Sequence, residues 1–224
     1  MLKFDKPTLI TITAPTCSGK NFLRDTLEHR LGFNRIVSTT TRTMRSGELE
    51  GLDYYFIDQE KSLRMERLGV FAELVEFRGA RYGVSKFEMG RKMDNSQGSS
   101  SPTVILEPKG LELYRAICVH HGWDIFTIYV HTVESLRLER LLRRTIDDYT
   151  SMDGSLAPKE AKEQIIKTHI DRTISITGDE RAWSNSCIWN AIVPGDNIEK
   201  AIKMIELGIA NRNHRNKEPA AFML

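Results

Sequence analysis

The sequence predicts a doubly wound α/β fold, in which helices cover both faces of a parallel sheet. A β-branched run at Thr8–Thr13 leads through a short loop into leucines at helical spacing, which indicates a strand, a tight loop and a helix. Two later apolar runs, Val104–Glu107 and Ile125–Val130, have the length of strands buried on both faces. Strands that alternate with helices in this way are typical of a doubly wound sheet.

The composition restricts the class of protein. The 224 residues suffice for one sizeable α/β domain with inserted lobes, and 40% hydrophobic and 28% charged residues are ordinary for a globular protein. A net charge of +2 argues against a protein that coats nucleic acid. The apolar runs are too short for a membrane span, and the first residues lack the apolar stretch of a signal peptide. Three scattered cysteines favour a reducing compartment, so we expect a cytoplasmic protein.

The first half of the chain is predicted to follow the strand–loop–helix unit with further short elements. Leucines recur up to Leu31, and Gly32 is a favourable residue for ending that helix. The other predicted elements are a strand at Ile36–Thr39, a helix at Gln59–Leu68, a strand at Phe71–Phe77 and a polar loop at 94–102.

The second half is predicted to be mainly helical. A helix at Leu111–His120 separates the two buried strands, and a basic helix at Val133–Tyr149 carries arginines three or four residues apart along one side. The elements predicted after it are a turn-rich stretch at 150–158, a helix to about Ile176, a strand at Cys187–Asn190 and a helix at Ile198–Leu207. The last residues show no clear pattern.

The order of these elements predicts three parts. We expect residues 1–37, 104–131 and 187–224 to form the core, into which residues 38–103 and 132–186 are inserted as two lobes.

The loop after the first strand is a degenerate form of the phosphate-binding pattern Gly-x4-Gly-Lys-Ser/Thr. In that pattern backbone N–H groups at a helix N-terminus surround a phosphate, and the lysine adds a positive charge. Gly19 and Lys20 are present, but Ala14 replaces the first glycine and Asn21 replaces the hydroxyl residue that ligates Mg²⁺. Without other motifs, an ordinary strand-to-helix turn explains the loop nearly as well. The predicted phosphate-binding residues are Ala14, Thr16, Cys17, Ser18, Gly19, Lys20 and Asn21.

A second motif, at residues 38–56, is far more specific. It reads STTTRTMRSGELEGLDYYF and places two arginines three residues apart before a Gly-Glu turn and an Asp-Tyr pair. Arginine side chains bind phosphate oxygens in a bidentate way, and a tyrosine hydroxyl can donate one more oriented hydrogen bond. Such a group, some twenty residues after a phosphate loop, fits the phosphate of an acceptor molecule.

This stretch closely resembles the guanylate kinases, whose pattern is S-x-T-T-R-x-P-R-x-G-E-x-x-G-x-D-Y-x-F, with Met44 in place of the proline. The resemblance continues in residues 71–83, FAELVEFRGARYG, in the strand before Gly110 and in the arginine-rich helix. It covers roughly residues 8–205 and is strongest over 8–110. It implies a P-loop kinase core, in which residues 38–103 bind the nucleoside monophosphate (the acceptor lobe) and residues 132–186 form the lid.

The resemblance also implies residue roles. The implied catalytic residues are Lys20, Arg140 and Arg144. Further candidates for the lid's charge clamp are Arg143 and Arg172. The other interpretation of the basic helix is a solvated face paired with Glu134 and Glu139. Asn21 would face the metal. The residues implied to hold the acceptor nucleotide are Ser38, Arg42, Arg45, Glu48, Tyr54 and Tyr82 around the phosphate, and Glu73 and Glu107 at the base.

Two departures from the family pattern concern the base and the metal. Val84 stands where the family has a Ser or Thr whose hydroxyl reaches the base, and the adjacent Ser85 would point to the opposite face of a strand. Ile105 replaces an aspartate near the metal, as Asn21 replaces a hydroxyl residue. A lost polar contact changes base discrimination by roughly 1–3 kcal/mol.

The leading interpretation is an active kinase that uses ATP and Mg²⁺ to phosphorylate a nucleoside monophosphate, GMP, dGMP or a relative. The alternative is a guanylate-kinase-like binding module that has lost catalysis; Lys20 and the acceptor motif favour the enzyme, whereas Asn21 and Ile105 favour the module. A kinase acting on a base within a nucleic acid is disfavoured by the near-neutral charge. We expect a monomer or homodimer.

Overall fold

The computed structural model describes residues 4–45, 47–77, 79–96, 100–151, 159–185 and 188–217. The strands are β1 (Thr8–Thr13), β2 (Asn34–Arg35), β3 (Ser38–Thr40), β4 (Tyr54–Phe56), β5 (Phe71–Phe77), β6 (Ala80–Ser85), β7 (Pro102–Ile105), β8 (Asp124–His131) and β9 (Ala191–Pro194). The helices are α1 (Lys20–Leu31), α2 (Gln59–Arg67), α3 (Lys86–Asp94), α4 (Pro108–His121), α5 (Glu134–Ser151), α6 (Lys159–Thr177) and α7 (Ile198–Lys217), with a short 3-10 helix at Asp179–Asn185.

The larger sheet is parallel, in the order β2-β7-β1-β8-β9. Its central strand β1 is buried along its whole length, as its β-branched sequence predicts. Ile10 and Ile12 pack with α1 and α7 in one apolar cluster, whereas Leu9 packs with α4 in another. Because successive side chains of a strand point to opposite faces, helices cover both faces of the sheet. The doubly wound fold is confirmed.

The smaller sheet holds the acceptor motif. Its order is β4-β3-β6-β5; β3 and β4 are parallel, and β6 runs antiparallel to both of its neighbours. Ser38 of β3 lies opposite Tyr54 of β4, and Thr40 lies opposite Tyr82 of β6. The pairing therefore places the two tyrosines of the predicted site on the two strands that flank β3.

The structure corrects the strand predicted at Ile36–Thr39. Ile36 donates its N–H to Thr103 of the larger sheet, but β3, two residues later, belongs to the smaller sheet. Between them the Val37 N–H bonds to the Glu88 carboxylate at 3.4 Å, so a side chain replaces a strand partner where the chain changes sheets.

The last strand was also predicted too early, at Cys187–Asn190. Strand β9 begins at Ala191, because Asn190 is occupied in closing the preceding turn: its side-chain oxygen accepts the Thr127 N–H at 2.8 Å and its own N–H bonds to the Thr127 hydroxyl at 3.0 Å. The sequence predicted no element over β6 or α3. Residue 187 and the parts of the predicted loops and tail at 97–99, 152–158 and 218–224 lie outside the described residues.

Among the described helices, none is both long and apolar enough to cross a membrane.

Candidate active site

The phosphate loop joins the carboxyl end of β1 to α1, and Lys20 is the first helical residue. Gly19 and Cys17 have positive φ angles of 92° and 61°. Glycine takes such a conformation readily, but a cysteine does so only where its surroundings hold the backbone. Ala14 is buried and has no positive φ, so its methyl group is accommodated in place of the usual glycine. Asn21 is exposed in the first turn of α1.

The loop is supported from the other side by Thr132, which follows β8, and by Gly195, which follows β9. Thr132 donates its hydroxyl to the Ser18 carbonyl at 3.0 Å. A Cβ on Gly195 would stand 2.1 Å from that carbonyl oxygen and 2.2 Å from the Thr132 hydroxyl. Glycine is therefore the only residue that fits at this position without moving the loop.

Arg140 of α5 links the loop to Gly195. Its guanidinium donates to the Cys17 carbonyl at 3.2 Å and to the Gly195 carbonyl at 3.1 Å. Arg140 thus connects the predicted lid helix to the phosphate loop. Beside it lies a cavity of about 160 Å³. The cavity is lined by Gly19, Phe22, Leu23, Val130, Arg140, Pro194, Gly195, Asp196 and Ile198.

The acceptor motif folds around a bidentate ion pair. Arg42 donates to the two carboxylate oxygens of Glu48 at 3.0 and 2.8 Å, and the Arg45 backbone N–H bonds to the same carboxylate at 2.8 Å. Burial alone would raise the pKa of Glu48, but these hydrogen bonds and the arginine charges bring the pKa below its ordinary value. Glu48 is therefore an anion that holds Arg42 in place.

Aromatic rings surround the same arginine. The Arg42 guanidinium carbon lies 5.3 Å from the Tyr54 ring centre and 5.6 Å from that of Phe56, and Tyr54 and Tyr82 meet edge to face at 6.0 Å. Burial raises the pKa of Tyr54, and the neighbouring Tyr82 raises it further. Its hydroxyl is a neutral hydrogen-bond donor at physiological pH.

Arg45 and Arg144 bring positive charge from the predicted acceptor lobe and the predicted lid towards each other. Desolvation lowers the pKa of Arg45, and the positive charges of Arg42 and Arg144 lower it further. An anion bound between these side chains would relieve that repulsion. The structure thus gathers three cations at the place where the sequence predicts the acceptor phosphate.

The other lid arginines lie elsewhere. Arg143 is exposed and pairs with Glu139 at 2.8 Å, the solvated pair that the sequence also allows. Arg137, the first arginine of the predicted basic helix, is buried and donates to the Ile176 carbonyl at the end of α6. Arg172 is buried on α6.

The predicted base-binding residues Glu73 and Glu107 lie close to each other. Glu73 of β5 is 8% exposed, and the Tyr114 hydroxyl donates to it at 3.3 Å. Glu107 immediately precedes α4, and its charge acts on Glu73. Ser38, which begins β3, is half-buried beside Tyr54.

The structure shows where the departures from the family pattern lie. Val84 lies directly opposite Glu73 in the antiparallel pair, on the same face, and is buried in the core cluster of α3 and α4. Ser85 accepts the Glu88 N–H at 3.1 Å as the N-cap of α3, so its hydroxyl is already used. Ile105 ends β7 and packs against the core.

Three elements of the site were not predicted, because their residues are remote in sequence. They are the support of the loop by Thr132 and Gly195, the Tyr114 hydroxyl on Glu73, and a charge network between α1 and the acceptor loop. In the network Arg35 bonds to Asp25, Glu28 and the Leu52 carbonyl, and Arg24 lies 3.8 Å from Asp53. The signal available in the sequence was Arg24, an arginine in the predicted helix that follows the phosphate loop.

Together, a parallel sheet, a phosphate loop after its central strand and an opposed arginine–tyrosine cluster define a nucleotide phosphotransferase. The profile of the family "Guanylate kinase" matches residues 6–211. A Legionella pneumophila (strain Lens) guanylate kinase is 35% identical over 97% of this chain and 93% of its own, and one from Chlamydia felis (strain Fe/C-56) is 26% identical over 94% and 91%. This chain belongs to the guanylate kinase family and is a nucleoside monophosphate kinase.

A solved structure agrees with this fold. The guanylate kinase from Anaplasma phagocytophilum superposes with a TM-score of 0.58 at 22% identity, covering 95% of this chain and 89% of that one. The family resemblance and the enzyme class predicted from the sequence are confirmed.

We expect Arg42→Lys to raise the KM for the nucleoside monophosphate about tenfold to a hundredfold, with a smaller change in kcat. Lysine keeps the charge but cannot make the two parallel hydrogen bonds to Glu48, and charge-assisted hydrogen bonds contribute about 1.5–3 kcal/mol each. Steady-state kinetics with the monophosphate varied would measure this. Arg67→Lys, on the exposed side of α2, is the matched control; an unchanged KM in Arg42→Lys would contradict the role given to Arg42.

Proposed function

We propose that the chain transfers the γ-phosphoryl group of ATP to the 5′-phosphate of GMP or dGMP. The observation that carries the choice of base is the buried Glu73 beside Glu107. An ionised carboxylate only accepts hydrogen bonds. Guanine presents two adjacent donors, the ring N–H and the exocyclic amine, whereas adenine presents an acceptor nitrogen at the ring position. Two acidic side chains therefore favour guanine.

The acceptor phosphate is proposed to lie between Arg42, Arg45 and Tyr54. Glu48 holds the Arg42 guanidinium, and the neutral Tyr54 hydroxyl donates one more hydrogen bond. A dianionic phosphate would compensate the repulsion that now acts on Arg45.

The donor phosphates are proposed to lie on the loop at residues 14–21. Its backbone N–H groups and the N-terminus of α1 favour negative charge there. Lys20 would contact the transferring phosphoryl group, Arg140 would hold the loop while reaching towards the phosphates, and Arg144 would approach from the lid. Phosphoryl transfer depends mainly on positioning and charge neutralisation, which these three cations supply. The adenine ring would fit the cavity beside Phe22.

Magnesium is proposed to enter with ATP. Among the described residues there is no cluster of three or more His, Cys, Asp or Glu side chains that could hold a metal. This donor set fits an ion held mainly by nucleotide phosphates and water, with the exposed Asn21 amide as a neutral protein ligand. When bound, the ion would neutralise charge on the β- and γ-phosphates.

We also propose that residues 38–103 and 132–186 act as acceptor lobe and lid that close over the core at residues 1–37, 104–131 and 187–224. Closure would bring Arg45 and Arg144 to opposite sides of the transferring group and exclude water from it.

The proposal is tested by measuring ADP formation from ATP with every ribo- and deoxynucleoside monophosphate, in Mg²⁺ and in Mn²⁺. We expect kcat/KM for GMP or dGMP to exceed that for AMP by at least about a hundredfold. This margin already allows for the one polar contact of roughly 1–3 kcal/mol that is missing at Val84. Clear preference for another base would overturn the substrate. No turnover with any monophosphate would leave a binding module instead of an enzyme.

A further inference from the structure

The carboxyl of Glu73 is buried where β6 and the first turn of α4 meet β5. Val84 of β6 lies opposite it, and the first turn of α4 lies against it: a Cβ on Gly110 would stand 3.0 Å from the Glu73 Oε1 atom. Only 8% of the residue is exposed. An ionised carboxylate in such a place loses most of its hydration, which disfavours the charged form.

The charged neighbours do not compensate this loss. The polar groups that act on Glu73 are the Tyr114 hydroxyl of α4, which is itself buried, and the negative Glu107. Two charged side chains of the neighbouring elements are paired with other residues. Arg81 of β6 pairs with Glu66 of α2, and Glu88 of α3 pairs with Arg91.

These surroundings set the proton affinity of the group. Burial raises the pKa of Glu73 to about 7, with the Tyr114 hydrogen bond opposing the shift and the Glu107 charge adding to it. Near neutral pH the nucleotide-free protein is therefore a mixture of the neutral acid and the carboxylate.

We propose that Glu73 is a proton-linked specificity residue, which is partly protonated in the free site near neutral pH and releases that proton to solvent when a guanine ring binds. This inference rests on the proposed function. The ring N–H and exocyclic amine of guanine donate two hydrogen bonds to the carboxylate and stabilise its charged form. The neutral acid, in contrast, has one donor and one acceptor, and its O–H can donate to the ring nitrogen of adenine.

Guanine selectivity then depends on pH. Only the ionised fraction of Glu73 is competent for GMP, so the apparent affinity is the intrinsic affinity multiplied by that fraction. With a pKa of about 7 the fraction rises about tenfold between pH 6 and pH 8. We expect the affinity for GMP to rise by that factor over this range, and the ratio of kcat/KM for GMP over AMP to rise with it.

The test is isothermal titration of the full chain with GMP at pH 6, 7 and 8, in buffers that differ in ionisation enthalpy. Titration with ribose 5-phosphate gives the protons exchanged by the phosphate, which are subtracted. We expect a release of about half a proton more at pH 7 than this reference, because about half of Glu73 is protonated there.

Two variants isolate the residue. Glu73→Gln cannot titrate, so the excess proton release is expected to vanish, with weaker GMP binding that no longer improves beyond the phosphate reference as pH rises. Tyr114→Phe removes the hydroxyl that lowers the pKa of Glu73, so the midpoint of the affinity change is expected to move to higher pH. A purely structural role of Tyr114 would not move that midpoint.

The outcomes separate the two proposals. If GMP binds and is phosphorylated but the excess proton release is zero, or is unchanged in Glu73→Gln, the inference is overturned and the proposed function stands. If GMP neither binds nor is phosphorylated at any of the three pH values, both are overturned.

Discussion

Lys20→Ala is expected to lower kcat about a thousandfold while the protein stays folded. Lys20 begins α1 directly behind Gly19, where the helix N-terminus and the proposed donor phosphates meet. Removing a positioned group that stabilises transition-state charge typically costs about 3–4 kcal/mol of activation free energy. The lysine is half-buried at the surface of the loop and is not part of either apolar cluster, so we expect little change in stability.

The measurement is kcat under saturating ATP and GMP, with thermal unfolding recorded alongside. Lys203→Ala is the matched control, because Lys203 is exposed on α7 and is outside the proposed site. Control activity should equal that of the wild type. If Lys20→Ala kept a tenth or more of the wild-type kcat, Lys20 would not be the catalytic cation.

Gly195→Ala is expected to destabilise the protein more than the same change at any other glycine whose surroundings the structure describes. Its Cβ would stand 2.1 Å from the Ser18 carbonyl oxygen and 2.9 Å from Val130, distances that require the backbone to move. Overpacking typically lowers the free energy of unfolding by about 1–3 kcal/mol, and we expect this variant to lie at the upper end of that range. Because Ser18 is in the phosphate loop, we also expect the KM for ATP to rise at least about tenfold.

Chemical denaturation and ATP-dependent kinetics would measure both effects. Gly90→Ala offers the same change without a steric conflict, since a Cβ there would meet no heavy atom within 4 Å beyond the local backbone and chain neighbours, and the residue is inside α3. That control should gain up to about 1 kcal/mol from the better helix propensity of alanine. Equal stability and ATP kinetics in the two variants would contradict the close contact between Gly195 and the loop.

Local patterns predicted the core of the fold well. The β-branched run at Thr8–Thr13 and the leucines up to Leu31 gave a strand and a helix at the expected residues, because burial on both faces and helical periodicity are both encoded in neighbouring residues. The predictions at Ile36–Thr39 and Cys187–Asn190 were wrong where side chains distant in sequence, Glu88 and Thr127, bind the backbone and end the strand pairing.

The site residues that are close together in the motif could be predicted from the sequence. Those whose roles depend on how distant elements pack could not. Arg42 and Glu48 are six residues apart in a turn, so the motif itself implies that they meet. The sequence kept Arg143 as a further candidate beside Arg144, since one step along a helix rotates a side chain by about 100° and only the packing of α5 decides which one faces the site. The role of Ser85 as a helix cap likewise became visible only with α3 in place.

The position of β7 in the larger sheet has a consequence for how the chain folds. β7 lies between β2 and β1, yet residues 36–101, including the whole smaller sheet, separate it from β2 along the chain. A loop of that length must close before the central pairing forms, which slows folding. Until β7 arrives, the facing edges of β1 and β2 lack their strand partner. We therefore expect slow refolding, with transient self-association at high protein concentration before the last central strand is in place.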